Sequence, residues 1–228
     1  NHKNMDEFIH FPTSLIDKFS LVDGCLQNDP KLEKALIEGT HPLSHYFEFA
    51  PYVVKQQDKI VARFAFIYYP DQTDAYIGFY HSIDDEQILP FVLEQILPVI
   101  SEKGYTEIVG PVEASFWLGY RMKVNNFQKI TSFEPTNPAY YPRLWEKSGF
   151  QIKEQYFSSQ HPMKQREKKD VVEKQTKYIF KTPTRKTTIS MLAEIYEMII
   201  ELYREFPVFS TISKDEFLTI FSGLRYIA

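Results

Sequence analysis

The sequence predicts an α/β (α+β) domain with a mixed, mostly antiparallel sheet, flanking helices and one βαβ crossover. Three aromatic-rich runs, 52–55, 60–69 and 76–83, are separated by short polar turns, which is typical of an antiparallel meander. The pattern then takes a helical period over 86–103 and returns to a short apolar run at 107–110. Strand, helix and strand of these lengths predict a crossover, so the strands on either side of the helix should be parallel.

The predicted crossover helix has recognisable ends. Asp84 and Gln87 have the spacing of a capping box, which predicts that the Asp84 side chain caps the first turn. Lys103 followed by Gly104 predicts the C-terminal cap. Because Pro98 comes late in the apolar period, we expect it to kink the helix or to end it there.

The pattern after the crossover predicts three more elements in the first domain. A short strand is expected near 129–133, and a helix should run from Asn137 to Lys147 and be closed by Gly149. Residues 150–158 alternate in polarity and predict a final strand. The resulting domain spans 8–159.

The remainder of the chain has a different composition. Residues 160–187 hold nine basic and three acidic side chains, a local charge of +6, and are expected to form a basic connector, as a solvated linker or an edge strand. Two amphipathic helices should follow, one over 189–205 and one from Ser213, where Ser213 and Glu216 form a capping box. Two such helices cannot bury both apolar stripes alone. The segment 188–228 should therefore pack on the first domain or begin a truncated second half.

Charge and cysteine content exclude several functions. Among 228 residues, 26 are Lys or Arg and 30 are Asp or Glu, a net charge of −4, so nucleic acid is not an expected partner. Cys25 is the single cysteine, which excludes an intrachain disulfide and a thiol-based zinc site. The most apolar stretch, 88–100, is too short to span a membrane, and residues 1–6 are too polar for a signal peptide. We expect a cytoplasmic protein with no metal and no membrane partner; its oligomeric state is not indicated.

Four side chains are candidates for acid–base chemistry near the ends of the crossover strands. Glu113 follows the second strand, where ligands of open α/β sheets bind, and could take a proton from an amine. His81 lies near the end of the third strand and is the histidine best placed as a base; the alternative is a half-buried strand residue. Tyr140 and Tyr141 have phenols suited to general acid catalysis where the local environment lowers their pKa, or they pack against the sheet. Hydrolase and NTPase motifs are absent from the sequence.

Residues 60–158 resemble the GNAT acyltransferase superfamily. The order of meander, long helix and strand matches its central motif, and the end of the run 137–150 (NPAYYPRLWEKSGF) resembles its late-helix phrase "YEKxGF". The combination of 83–85 (IDD), 110–111 (GP) and 137–141 (NPAYY) resembles more specifically a group of bacterial, largely uncharacterised GNAT-like proteins in which a second GNAT-like half follows the first. This resemblance implies an N-acyltransferase that moves an acyl group from an acyl-CoA-type thioester, such as acetyl-CoA, to a small-molecule amine.

The resemblance also implies roles for the candidate residues. The thioester would lie in the notch where strands 76–83 and 107–110 diverge, and unpaired strand N–H groups there would polarise its carbonyl. Glu113 or His81 would be the base, and Tyr140 or Tyr141 the acid. Asp84 and Asp85 have helix capping as their structural alternative, and Asn137 a turn or cap role. Cofactor contacts are expected from Ile83, Asp84, Asp85, Gly110 and Asn137.

Two positions depart from the superfamily pattern. The usual "Q/R-x-x-G-x-G/A" loop, which holds the coenzyme A pyrophosphate on backbone N–H groups, corresponds here to 81–86, which lacks glycine and carries three acids. Trp145 occupies the position at which many members have the tyrosine that protonates the departing thiolate. These departures leave two alternatives: a catalytically degenerate GNAT-fold module that binds a ligand or partner, and an aminoacyl-tRNA-dependent transferase. A deep apolar notch would favour the acyl donor, and a notch plugged by Trp117 or Trp145 would favour the binding module.

Overall fold

The computed structural model describes residues 2–16, 29–128, 134–159 and 181–226. The expected strand at 129–133, Cys25 and most of the basic connector lie outside these ranges. In chain order, the elements are α1 (His2–Ile16), α2 (Pro30–Ile37), β1 (Glu48–Gln56), β2 (Lys59–Tyr68), β3 (Asp74–Ser82), α3 (Ile88–Glu102), β4 (Glu107–Val109), α4 (Tyr141–Lys147), α5 (Thr188–Leu202) and α6 (Lys214–Phe221).

The four strands form one mixed sheet in the order β1-β2-β3-β4. β1 pairs antiparallel with β2, and β2 antiparallel with β3. β4 pairs parallel with the start of β3, from Asp74 opposite Glu107 to Tyr76 opposite Val109. The predicted meander, the βαβ crossover and the mixed α/β class with flanking helices are therefore confirmed.

Alternating strand residues divide the core into two faces. On one face, which we call the α3/α4 face, Phe64, Phe66 and Ile77 pack with residues of α3 and α4. On the other, which we call the α1/α2 face, Ala65 and Ile67 belong to a cluster that includes residues of α1, α2, α5 and α6. The two faces place the crossover helix and the N-terminal helices on opposite sides of the sheet.

The C-terminal helices pack on the α1/α2 face. Leu192, Ile212 and Phe217 belong to its buried cluster. The Trp117 indole N–H donates to the Ser210 carbonyl at 2.8 Å, and its ring packs on Phe217. The predicted capping box of Ser213 with Glu216 is present at the start of α6. Of the two arrangements expected for this segment, the contacts are those of packing on the first domain.

The start and course of α3 differ from the prediction. Its N-cap is Gln87, with no side-chain cap bond, so the capping box of Asp84 with Gln87 is wrong. The Asp84 carboxylate instead pairs with Arg143, and Asp85 accepts from the Gln87 N–H at 2.9 Å. The helix also continues through Pro98 to Glu102. Proline has no N–H, so the carbonyl four residues earlier lacks its usual helical donor. Because Pro98 is exposed, that carbonyl lies on the solvent side of the helix.

Two later elements are also corrected. Residues 150–158 form no strand: all but Phe150 are exposed, and the described residues offer them no ladder partner, without which an alternating pattern cannot become a strand. The Phe150 N–H donates to the Trp145 carbonyl at 3.2 Å, and beyond it side chains hold this stretch, as where Lys153 contacts Glu107 at 3.1 Å. The late helix begins at Tyr141 rather than Asn137, because the Asn137 side chain binds the Lys123 backbone.

Candidate functional site

The strands β3 and β4 diverge after Val109, and the space between 77–82 and 110–113 is the notch. At its closed end, the Val112 N–H still donates to the Ile77 carbonyl at 2.9 Å. A Cβ on Gly78 would lie 1.9 Å from the Val112 oxygen, and one on Gly110 would lie 2.5 Å from the Ile77 oxygen. Both positions therefore require glycine, because the two backbones approach too closely for any side chain.

Phe79 carries an unusual backbone conformation at the wall of the notch. The pairing of β2 with β3 shifts register next to it, and its φ is +52°, which is rare for an aromatic residue. Its N–H donates to Glu113 Oε2 at 2.6 Å, and its carbonyl oxygen lies 3.3 Å from His81 Nδ1. Strained backbone of this kind clusters at functional sites. Phe79 thus brings two of the sequence-predicted residues, Glu113 and His81, together.

Glu113 has a proton affinity suited to acid–base chemistry. Burial raises the pKa of its carboxyl to about 7, more than the Phe79 N–H and the positive charge of Arg63 lower it. The side chain nevertheless keeps some exposure to solvent. A carboxyl with a pKa near neutrality can both accept and release a proton under physiological conditions.

The pKa of His81 is shifted in the opposite direction, away from its charged form. Burial, and then the charge of Arg63, hold the pKa of its imidazole well below the usual range. The Arg63 Nε–H donates to Nδ1 at 3.2 Å. The imidazole is therefore neutral, and one ring nitrogen already accepts a hydrogen bond.

Behind these residues lies a buried ion pair that sequence reasoning missed. Arg63 is fully buried and donates to Glu33 at 2.5 and 2.8 Å and to the Phe8 carbonyl at 2.8 Å. Burial raises the pKa of Glu33 more than Arg63 lowers it. We call Glu33, Arg63, His81 and Glu113 the ionic cluster. A charged residue inside the apolar run 60–69 was the signal that could have revealed it.

Tyr140 and Tyr141 reach the open end of the notch and bind one residue. Tyr141 accepts from the Ser82 N–H at 3.1 Å, and Tyr140 donates to the Ser82 carbonyl at 2.7 Å. Burial raises both phenol pKa values, so both groups are protonated at neutral pH. The N–H groups of Phe79 and Ser82 are thus paired, contrary to the expectation of unpaired strand donors along the notch.

Trp145 covers the notch from the α3/α4 face. Its ring is 4% exposed and packs edge-on against Tyr80, with centroids 5.4 Å apart. A Cβ on Gly110 would lie 2.9 Å from this ring. The indole Nε1 is buried and has no partner among the residues that the structure describes. Trp117 lies elsewhere, in the cluster on the α1/α2 face.

The residues predicted to bind a cofactor have separate positions. Gly110 lies in the notch, whereas the Ile83 N–H donates to the Val61 carbonyl at 3.0 Å and continues the sheet. Asp84 and Asp85 bind Arg143 and the backbone of the turn before α3. Asn137 accepts from the Lys123 N–H at 2.7 Å and donates to its carbonyl at 3.1 Å. The structure therefore groups Gly110 with Glu113, His81, Tyr140 and Tyr141, and places the others in local contacts.

The described ranges lack two features, a metal-binding cluster and a membrane-spanning helix. They contain no cluster of three or more His, Cys, Asp or Glu that could hold a metal ion. They also contain no helix with the length and apolar character needed to cross a membrane.

Comparison of the chain with family models, curated proteins and solved structures gives no match. The resemblance to the GNAT superfamily therefore rests on the residues and element order alone. What the site can do is argued below from its own geometry.

Proposed function

We propose that this domain transfers an acyl group from an acyl-CoA-type thioester to a small-molecule amine, with Glu113 as the general base. The observation that carries the proposal is the Glu113 carboxyl, which lies just beyond β4 where two parallel strands diverge and has a pKa of about 7. Ligands of open α/β sheets bind at such a divergence. General base catalysis is most effective when the pKa of the base is near the working pH.

The reaction assigns each proton to a group. The amine nitrogen attacks the thioester carbonyl carbon, the C–S bond breaks, and the thiolate leaves. Glu113 takes the proton released by the nitrogen. Tyr140 and Tyr141 remain the proposed acids for the thiolate because they lie at the open end of the notch, where both bind Ser82. Burial raises the pKa of both phenols, so the proton transfer must occur against that shift.

Substrate binding must change one hydrogen bond in this scheme. The Phe79 N–H, which would polarise the thioester carbonyl, now donates to Glu113. A bound carbonyl oxygen would replace the carboxylate as the acceptor, and that exchange would free Glu113 to receive a proton. The strained conformation of Phe79 holds this N–H toward the notch in advance of the substrate.

A second candidate is a catalytically degenerate module that binds a ligand or partner without acyl transfer. The position of Trp145 favours it, since the ring packs against Gly110 and Tyr80 and fills the notch from one side. The 81–86 turn adds to this, because Asp84 and Glu86 both pair with Arg143 and present carboxylates where a pyrophosphate would bind.

One titration separates the two candidates. We expect coenzyme A and acetyl-CoA to bind the purified chain with micromolar affinity by isothermal calorimetry, and acetyl-CoA with a panel of amines to release thiol. Glu113→Gln should abolish thiol release without weakening coenzyme A binding. Glu107→Gln, which alters an exposed carboxylate on β4, is the matched control and should leave both unchanged.

Two outcomes contradict acyl transfer. No heat with either ligand at millimolar concentration, with the chain folded, excludes the coenzyme A donor and supports the binding module. Binding without thiol release from any amine leaves the ligand site but removes the chemistry. Full activity of Glu113→Gln would assign the base to another group.

A further inference from the structure

The hydrogen bond between Arg63 and His81 determines which ring nitrogen carries the proton. A guanidinium remains protonated at any pH at which proteins fold, so Arg63 Nε is always a donor. It points its N–H at His81 Nδ1, at 3.2 Å. Nδ1 therefore offers its lone pair, and the proton of the neutral ring lies on Nε2.

The second contact of Nδ1 does not change this assignment. The Phe79 carbonyl lies 3.3 Å from Nδ1 and could accept from an Nδ1–H. That tautomer would place two N–H groups head to head, because Glu33 and the Phe8 carbonyl hold the other side of the guanidinium. Arg63 is thus fixed from α1 and α2, and it cannot turn away from His81 without breaking a buried ion pair.

The other ring nitrogen is available to a ligand. No described residue accepts from His81 Nε2, and this nitrogen is not among the buried polar atoms that lack a partner. Nε2 is therefore not engaged by a described residue, although only 8% of His81 is exposed. His81 and Glu113 contact the carbonyl and the N–H of the same residue, Phe79, so both lie within one residue of the end of the notch.

We propose that His81 is a neutral hydrogen-bond donor to a ligand bound at the notch, and that Arg63 is the positioning residue that fixes its tautomer. The tautomer assignment does not depend on the proposed function. Only the identity of the accepting atom, the acyl carbonyl oxygen, rests on the proposed function. A neutral imidazole N–H stabilises negative charge that develops on that oxygen while Glu113 takes the amine proton. Two neighbouring groups whose proton affinities are shifted in opposite directions commonly divide acid and base roles in this way.

Burial is the largest cause of the lowered pKa of His81, and among the charged groups nearby only Arg63 adds to it. Arg63 from β2 is the nearest, and its positive charge opposes a second proton on the imidazole. Glu33 from α2 is bound to Arg63, and Glu113 follows β4. α1 contributes the Phe8 carbonyl, and His10 on α1 affects Glu33.

The tautomer can be measured in the absence of any ligand. We would record long-range ¹H–¹⁵N correlation spectra of the imidazoles from about pH 5 to pH 8, with His81 assigned by its loss in His81→Gln. We expect an unprotonated Nδ1 and a protonated Nε2 throughout. An Nδ1–H tautomer, or an imidazolium within this range, would overturn the proposal.

Arg63→Lys tests the positioning role. Lysine has a methylene group at the chain position that Nε takes in Arg63, so no N–H would face Nδ1. The His81 proton should then move to Nδ1 and bond the Phe79 carbonyl. A folded Arg63→Lys that keeps the Nε2–H form would refute the role of Arg63. If this variant does not fold, the double variant Arg63→Gln/Glu33→Gln, which keeps a side-chain N–H donor and leaves no unpaired buried carboxylate, should preserve the wild-type tautomer. Loss of that tautomer in the folded double variant counts against the proposal.

Activity gives a separate readout of the donor. His81→Gln keeps an N–H near the position of Nε2, whereas His81→Phe does not. A donor role predicts that His81→Gln retains much more kcat than His81→Phe with the same pH profile. Equal loss in both variants would mean that His81 is no donor. If no acyl transfer is found, the spectra still decide the tautomer.

Discussion

On the α3/α4 face of the sheet, the buried strand side chains are aromatic or aliphatic apart from Ser82, whereas the α1/α2 face adds a fully buried Arg63 and its partner Glu33. The first face is held by area removed from water, which is insensitive to pH. The second is held partly by groups whose burial is costly unless they remain paired. The face that carries this cost is also the one on which Glu113 and His81 meet, so we expect the base there, whereas Tyr140 and Tyr141 reach the notch from the other face.

The largest effect should come from breaking the ion pair on the α1/α2 face. Arg63→Met leaves Glu33 buried without its partner and should lower the free energy of unfolding by about 3–5 kcal/mol. The double variant Arg63→Met/Glu33→Leu removes both charges and should be more stable than the single variant. Urea denaturation measures both. A double variant less stable than the single one would show that the pair is not the source of the cost.

A matched deletion on the α3/α4 face should be large but independent of pH. Leu89 on α3 is 1% exposed and packs among apolar neighbours. Leu89→Ala should lower the free energy of unfolding by about 2–5 kcal/mol through lost burial and a cavity. The loss should be the same at about pH 5 and about pH 8, since no titratable group changes its surroundings. A loss that varies with pH would remove the contrast between the faces.

The same contrast explains what could be predicted from the sequence. The α3/α4 face follows from local patterns, the strand alternation and the helical period, and was predicted with its crossover. The ionic cluster does not, because Glu33, Arg63 and His81 are 30 and 18 residues apart and meet only in the fold. The strand expected at 150–158 failed for a related reason: alternation indicates a strand only where a partner strand exists.

Glu113→Gln should give a smaller effect whose presence depends on pH. The pKa of Glu113 in the folded state, about 7, is above the ordinary value of 4.5, so the folded chain holds this proton more tightly than the unfolded chain does. The wild type therefore loses stability as the pH rises from the ordinary pKa to the folded-state pKa. Gln keeps an acceptor for the Phe79 N–H but carries no charge. At about pH 8 the variant should be more stable by about 1–3 kcal/mol, and near pH 4 equal to the wild type. A variant less stable than the wild type at the higher pH would mean that the carboxylate is stabilising.

The smallest effects should come from the two phenols that bind Ser82, which the sequence interpretation assigned as acids. Tyr141→Phe leaves the buried Ser82 N–H without an acceptor and should cost about 1–2 kcal/mol in thermal unfolding. Tyr140→Phe should cost less, about 0.5–1 kcal/mol, because it removes a bond to a carbonyl rather than to an N–H. Arg143→Gln, at an exposed ion pair on the same helix, is the control and should change nothing measurable. If neither tyrosine variant is destabilised, the phenols do not hold the strand edge, and proton transfer becomes the better account of their position.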